Sequence, residues 1–147
     1  MGARKALLEA DVTRAEELAR QIPRESSEWQ AGQLVAGEAA TKDGRLKVAL
    51  EYYTQAARLD SESSDGQLAL FSAAEIHLEL AQLTEAERLY RQVLNYQPNN
   101  GVTNERMAFL LSMTGRRWTA LDHYFVLIRS GDASFRELAL AADVGRP

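Results

Sequence analysis

Apolar residues recur along this chain at the spacing that one face of an amphipathic helix requires. The clearest segment is 67–100, whose second half places apolar side chains at i, i+3, i+4, i+7 and i+8: Ala86, Leu89, Tyr90, Val93 and Leu94. A break at 81–83 separates this stripe from an equally apolar first half, and Pro98 ends it because proline cannot continue a helix. The segment is therefore predicted to form two helices joined by a tight turn.

The same apolar stripe begins again at Ala15, Ala49 and Ala120. The intervals from Ala15 to Ala49 and from Ala86 to Ala120 are 34 residues, whereas the interval from Ala49 to Ala86 is 37. We expect the three additional residues within positions 61–66, whose polar composition favours a surface loop over an added turn of helix. Because one helical hairpin cannot bury its own apolar face in water, hairpins at this interval are expected to stack.

The repeated stripes predict further helices at 3–10, 13–22, 28–42, 46–59, 102–114, 118–129 and 135–142. Thr13 and Thr84 each precede a glutamate by three residues, a spacing that predicts a capping box at the start of a helix. Gly44 is expected to end a helix in the left-handed conformation. The last helix would cover the apolar side of its neighbour with Phe135, Leu138 and Leu140. Both ends of the sequence suggest either a segment of a longer repeat array or a short array with abbreviated ends.

These features resemble the tetratricopeptide repeat family. Part of its W-x2-L-G-x2-Y…A-x3-F…P pattern is present at the family's spacing, although the middle unit lacks the Trp, the Gly and the first Tyr: Leu70, Ala73, Ala74, His77, Ala86, Tyr90 and Pro98. The resemblance implies an all-α, right-handed superhelical solenoid of helix-turn-helix repeats. It further implies a single domain, 1–147, with a partial repeat at 1–29, full repeats at 30–66, 67–100 and 101–134, and a C-terminal capping helix at 135–147.

Composition narrows the possible functions. The net charge is −4 and the pI is about 5.3, whereas a nucleic-acid-binding protein usually presents a basic surface. The charge therefore argues against nucleic-acid binding. Cysteine is absent, which excludes disulfides and thiolate metal sites but fits either a cytoplasmic or a periplasmic location. No apolar run is long enough for direct membrane insertion. The Ala-, Leu- and Arg-rich composition of the repeats resembles that of bacterial proteins.

Candidate chemistry is sparse, and the sequence predicts no enzyme, no cofactor and no metal site. The two histidines, His77 and His123, lie in apolar stripes and are expected to be packed side chains, each with one hydrogen-bonded nitrogen. Glu16 with Arg20, and Glu87 with Arg91, have the i,i+4 spacing of ion pairs on solvated outer faces. Trp118, after Arg116 and Arg117, is expected to be tucked into the packing at a turn.

The resemblance implies that the chain is a non-catalytic scaffold that binds a peptide or protein segment in a concave groove lined by the first helices. Aligning the three full units places Leu34 on that groove together with the main contact candidates: Glu38, Lys42, Phe71, Glu75, Glu105, Arg106 and Phe109. Some family members grip a C-terminal carboxylate with Lys, Asn, Asn, Lys and Arg. Only Arg106 matches that set here, so this carboxylate clamp is absent. The acidic positions favour a basic or mixed-charge partner with apolar anchors.

A different class of function is also open. The chain can be an architectural segment of a longer repeat array, in a multidomain enzyme or a membrane-associated assembly, that mediates self-association through its terminal helices. A concentration-dependent dimer formed through residues 135–142 would favour this alternative, whereas a monomer would favour groove binding.

Overall fold

The computed structural model describes residues 2–8, 11–131 and 135–144, with side chains at all of these except 7–8 and 135–139. Every regular element in these ranges is an α-helix, in accordance with the predicted all-α class. The helices, in chain order, are α1 (Gly2–Leu8), α2 (Val12–Arg20), α3 (Trp29–Lys42), α4 (Leu46–Leu59), α5 (Ser64–Glu79), α6 (Leu83–Tyr96), α7 (Gly101–Met113), α8 (Arg117–Ser130) and α9 (Phe135–Val144). The predicted helix end at residue 10 lies outside the described residues.

The chain divides into two compact units, Met1–Leu80 and Ala81–Pro147. In the first unit, helices that follow one another in sequence pack together from α1 to α5, and α3 also contacts α1 and α5. Its core includes a run of small side chains that allows close helix packing: Ala3, Ala6, Ala15, Ala19, Val35, Ala36 and Ala39. In the second unit, α7 packs against both α6 and α8, and α8 packs against α9.

Equivalent positions of the repeats have equivalent surroundings. Ala49, Ala86 and Ala120 are all fully buried, as the 34- and 37-residue intervals predict. The tyrosines four residues later, Tyr53, Tyr90 and Tyr124, are buried as well. A Cβ atom on Gly37 would lie 2.6 Å from Cε1 of Tyr53, so the absence of a side chain there makes room for the aromatic ring.

The turns inside the hairpins use the left-handed backbone conformation. Gly44 has φ +75° and Gly115 has φ +79°, which confirms the predicted helix-ending role of Gly44. Ala81 occupies the corresponding position with φ 58°, where an L residue with a Cβ is less stable than glycine. Arg45 and Arg116 follow these glycines, and their amides donate to carbonyl oxygens five residues back at 2.9 Å.

Both predicted capping boxes are wrong because each helix begins earlier than expected. α2 begins at Val12, and the side chain of Asp11 accepts from the amide of Arg14 at 3.0 Å, so Thr13 lies within the first turn. α6 begins at Leu83 without a side-chain cap, which places Thr84 in its first turn. The glutamates of the two predicted boxes are therefore available for other contacts.

The loop predicted for 61–66 is only half as long in the structure. α5 begins at Ser64, and the hydroxyl of Ser63 caps it by accepting from the amide of Gly66 at 3.0 Å. The extra residues therefore lengthen a helix as well as a connection. Gly66 is buried, and a Cβ atom there would lie 1.8 Å from the carbonyl oxygen of Asp60. Only glycine permits this close approach of α5 to the end of α4.

The closing helix α9 buries Ala141 and Val144, whereas Leu140 remains 38% exposed. Leu140 is therefore only partly covered, and the side chains of Phe135 and Leu138 lie outside those described. In the described part of the chain, none of the helices combines the length and apolarity that crossing a bilayer requires.

Candidate protein-interaction surface

In the first unit, the structure places four of the predicted contact residues on two neighbouring helices. Glu38 and Lys42 lie one turn apart on α3, and Phe71 and Glu75 lie one turn apart on α5. Lys42 is exposed, whereas the other three are half-buried. Neighbouring packing of α3 and α5 brings these residues to the same region of the unit.

The hydroxyl of Tyr53 lies where these two helices meet. It is 3.5 Å from the hydroxyl of Thr41 on α3. Ser72 on α5 is close enough to lower the pKa of Tyr53. Burial raises the pKa of Tyr53, and the negative charge of Glu38 raises it further. Tyr53 thus places a polar group between α3 and α5, the two helices that carry the predicted contact residues.

In the second unit, α7 carries the remaining candidates on an exposed apolar stripe. Phe109 is 48% exposed, and Val102 and Met113, at i−7 and i+4 from it, are each 52% exposed. Arg106 lies between them in helical register, and its Nη1 is 3.6 Å from Oε1 of Glu105. Three large apolar side chains on one exposed helix face are typical of a surface that another molecule covers.

Two sequence-based placements are wrong. Leu34, expected on the groove, is only 1% exposed and belongs to the core, because it faces the interior with its neighbour Val35. Trp118, expected in the packing, is 69% exposed in the first turn of α8, and Phe125, seven residues later, is 49% exposed. The equivalent positions in the preceding repeats carry Lys47 or polar residues, so only the last full repeat has this exposed aromatic pair.

The interpretation of Glu16 as half of a solvated ion pair is also wrong. Glu16 is only 6% exposed, and its carboxylate receives hydrogen bonds from Arg45, which follows the next hairpin turn, and from Tyr52 at 2.8 Å. Arg20, the partner predicted from the sequence, is present at 2.9 Å. The hydrogen bond from Arg45, with further help from Tyr52 and Arg20, holds the pKa of Glu16 below its ordinary value against the opposing effect of burial.

Glu87 repeats this arrangement in the second unit, where its side chain is 14% exposed. Arg116 binds both carboxylate oxygens, with Nη1–Oε1 2.8 Å and Nη2–Oε2 2.5 Å, and Arg91 binds Oε1 at 2.7 Å. The hydrogen bonds from Arg116 lower the pKa of Glu87 to about 2, with Arg91 assisting and burial opposing. In both units the glutamate on a second helix thus links its hairpin to the turn of the next one. The helical spacing of the sequence indicates the i,i+4 arginine but not the distant one.

His123 is a packed histidine with one hydrogen-bonded nitrogen, as predicted. The side-chain amide of buried Asn104 donates to the carbonyl oxygens of Pro98 and Asn100 at 2.9 Å, so its oxygen must accept. Nδ1 of His123, 2.8 Å from that oxygen, therefore carries a proton. Burial, reinforced by the charge of Arg91, lowers the pKa of His123, so the ring is neutral at pH 7.

The described residues offer no arrangement suited to acid–base or metal chemistry. Within them, no group of three or more His, Asp or Glu side chains could hold a metal ion. Glu16 and Glu87, whose side chains are 8% and 14% exposed, are paired with arginines that favour the charged form, which leaves them poor proton donors near pH 7. The contact residues predicted from the sequence lie on the exposed apolar stripe of α7 and in the α3–α5 region.

Comparisons with known proteins agree with this geometry. The tetratricopeptide repeat family profile matches residues 40–116, just over half of the chain. A tetratricopeptide repeat protein from Parabacteroides merdae has a similar structure, with a TM-score of 0.86 and 19% identity over 97% of this chain, which spans 56% of that protein. The structure of MamA is also similar, with a TM-score of 0.82 and 13% identity, covering 97% of this chain and 81% of that one. At these identities the similarity shows the fold alone.

No curated protein matched the sequence. The family assignment rests on the matched profile, on the hairpin intervals, and on the recurrence of buried alanine and tyrosine at equivalent positions. This chain belongs to the tetratricopeptide repeat family.

Proposed function

We propose that the chain is a non-catalytic scaffold that holds a peptide or protein segment against the first helices of its hairpins. Tetratricopeptide repeats are in general protein-interaction repeats without catalytic activity. The finer assignment is to α3 and α5 in the first unit and to α7 in the second. The observation that carries it is the exposed stripe of Val102, Phe109 and Met113 on α7.

The expected partner combines apolar anchors with basic or mixed charge. Large exposed apolar side chains gain most from burial at an interface, and aromatic anchors in particular tend to dominate binding energy. Glu38 and Glu75 in the first unit, and Glu105 in the second, supply negative charge beside the apolar positions. Such acidic groups favour lysine or arginine in the partner and disfavour an acidic segment.

A peptide selected from a random displayed library, then titrated by fluorescence polarisation, tests the proposal. We expect Phe109→Ala to weaken binding by about tenfold or more, because it removes a central apolar anchor. Phe125→Ala is the matched control, since Phe125 is an equally exposed phenylalanine on the neighbouring helix α8. Equal affinities for the wild type and the Phe109 variant would remove α7 from the binding surface.

Charge provides an independent arm of the same experiment. Glu105→Lys should weaken binding of a basic peptide. The loss of affinity should be largest at low ionic strength, where surface charges are least screened. Glu85→Lys, on the exposed face of α6, makes the same charge change outside the proposed surface. If both variants lose affinity equally, net charge governs binding and α7 has no specific part in partner choice.

Self-association remains the second candidate function, and the exposed Trp118 and Phe125 favour it. Two aromatic side chains, 69% and 49% exposed, lie on one face of α8, where the earlier repeats carry polar residues. Sedimentation velocity over a wide concentration range tests this candidate. A dimer abolished by Trp118→Ser with Phe125→Ser, and kept by Phe109→Ala, would support self-association through α8, whereas a monomer at all concentrations would exclude it.

A further inference from the structure

An open cleft of about 370 Å³ lies in the first unit, between the 21–28 connection and the end of α4. Its lining consists of Arg24, Trp29, Gln55, Arg58 and Leu59. None of these residues belongs to the surface proposed above for peptide binding. This volume is at the lower end of the range found for small-ligand sites. A cleft of this size can hold a single side chain with one polar head group.

The walls of the cleft are fixed by the local structure. Trp29 begins α3 directly after two turns, in which Ser26 donates to Pro23 at 2.9 Å and Trp29 donates to Ser26 at 3.1 Å. The guanidinium carbon of Arg24 lies 5.6 Å from the centroid of the Trp29 ring, at cation–π distance. On the α4 side, the amide of Gln30 donates to two backbone carbonyls at the end of that helix, both at 2.8 Å.

The two arginines that line the cleft make no ion pair with the described residues. Arg24 and Arg58 have no carboxylate within 4.0 Å among the described residues, although the chain as a whole has a net charge of −4. Asp60, two residues after Arg58, uses a carboxylate oxygen to accept from the amides of Glu62 and Ser63 in its own loop. Glu25, next to Arg24, is exposed to solvent. Two guanidinium groups beside one cleft are well suited to a carboxylate, which arginine binds in a bidentate manner.

The cleft also has an apolar wall. Leu59, the last residue of α4, is 56% exposed, and the ring of Trp29 is half-buried beside it. Gln55, one turn before Leu59, supplies a side-chain amide that can both donate and accept a hydrogen bond. The cleft thus combines two arginines, an apolar wall and one neutral polar group.

We propose that this cleft binds the terminal residue of another polypeptide, with an aliphatic side chain. Its α-carboxylate would pair with Arg24 and Arg58, its side chain would cover Leu59 and Trp29, and its preceding peptide group would contact Gln55. A terminal residue carries its carboxylate and its side chain on the same carbon atom, so both fit in a cleft of this size. An aspartate or glutamate within a chain would have to bring a separate residue to reach the apolar wall.

Intrinsic fluorescence gives a direct test because the chain has only two tryptophans, Trp29 and Trp118. Trp118→Phe leaves Trp29, inside the cleft, as the only reporter. In this background we expect N-acetyl-L-leucine, at constant ionic strength, to give a saturable change with a Kd on the order of 1 mM, as its size allows. N-acetyl-L-leucinamide, which lacks the charge, should bind at least about tenfold more weakly.

Arg58→Gln should weaken binding of N-acetyl-L-leucine by about tenfold, because it removes a charged donor. The matched control is Arg129→Gln, an exposed arginine on α8 in the other unit, which should leave the Kd unchanged. Arg58 makes no ion pair with the described residues, so its replacement should leave the helical circular dichroism spectrum unaltered.

Four results would overturn the proposal. Equal binding of the leucinamide would show that no carboxylate is recognised, and an unchanged Kd for Arg58→Gln would place binding elsewhere. Equal binding of 4-methylpentanoate, which has the same side chain and carboxylate but no acetamido group, would identify the ligand as a free acid and not a chain terminus. Competition by inorganic phosphate at equal concentration would reduce the site to a general anion site.

Discussion

Replacing Glu87 by glutamine tests whether the link between α6 and the α7–α8 turn stabilises the second unit. The pKa of Glu87 falls from its ordinary value of 4.5 to about 2, chiefly through the hydrogen bonds from Arg116. At about 1.4 kcal/mol per pKa unit, this corresponds to an upper limit of about 3 kcal/mol. The side chains of Arg116 and Arg91 are 44% and 54% exposed, so solvent screening lowers the expected loss to about 1–2 kcal/mol.

The pH dependence gives the sharper test because its sign is fixed. The pKa of Glu87 is lower in the folded state than in the unfolded state, so the unfolded chain binds more protons between these two values. The stability contributed by the Glu87 carboxylate is therefore complete above about pH 5 and is lost as the pH falls through about 2. The wild type should exceed Glu87→Gln in free energy of unfolding at pH 7, and the two should converge near pH 2.

Urea titrations followed by circular dichroism, at constant ionic strength from pH 7 to pH 2, measure this difference. Glu85→Gln is the matched control, since Glu85 lies on the same helix and pairs with Arg88 at 3.0 Å, but both side chains are about half exposed. Its replacement should cost no more than about 0.5 kcal/mol at any pH. A wild-type advantage over Glu87→Gln that stays constant from pH 7 to pH 2 would refute the electrostatic explanation.

Three further predictions concern single positions. Gly66→Ala should destabilise the first unit by at least about 2 kcal/mol in urea unfolding, because the new Cβ would collide with a backbone carbonyl oxygen. Gly44→Ala is the control, since a Cβ there meets no atom within 4 Å. It should cost only about 1 kcal/mol, the strain of an alanine in the left-handed backbone conformation. Ala81→Gly should raise the stability by up to about 0.5 kcal/mol. It relieves the same backbone strain at φ 58°, but it also increases the conformational entropy of the unfolded chain. A lower melting temperature would contradict this prediction. NMR titration should give His123 a pKa below its ordinary value of 6.5, with the Nδ1 proton donated to the side-chain oxygen of Asn104. Because the unfolded chain then binds a proton more readily than the folded one, the stability should decrease as the pH falls below 6.5.

The fold could be predicted because the sequence contains two periodic patterns. Apolar residues at helical spacing locate the helices, and the recurrence of alanine every 34 or 37 residues relates one hairpin to the next. Those alanines prove equally buried, and Gly44 ends its helix as expected. Both signals depend on many residues at once, so the missing Trp and Gly of the family pattern did not obscure them.

Local details were harder to predict because they depend on one or two contacts. Threonine followed three residues later by glutamate is the spacing of a capping box, but Thr13 and Thr84 both lie inside the first turn, with Asp11 capping α2 instead. The exposure of Trp118 could not be derived from a single repeat, since a tryptophan at a turn packs in many helical proteins. The contact residues on α3, α5 and α7 stay predictions, because a sequence pattern locates a face and does not identify what covers it.

The glutamate–arginine links do have a sequence signal, but it is visible only when two repeats are compared. Each consists of a glutamate, an arginine four residues later and a second arginine 29 residues after the glutamate: Glu16, Arg20 and Arg45, then Glu87, Arg91 and Arg116. All three members recur at an interval of 71 residues, the sum of one 34-residue and one 37-residue repeat, whereas the positions between them, Leu50 and Gln82, are uncharged.

The same charged triplet makes the same link in both units, although the repeat between them has uncharged residues at these positions. In a linear array, each hairpin contacts only its neighbours, so stability depends on the junctions between hairpins as well as on the hairpins themselves. A bidentate arginine at a junction adds directional hydrogen bonds to apolar packing that is otherwise tolerant of small rotations. We therefore expect the triplet to stabilise the register of neighbouring hairpins within each of the two units.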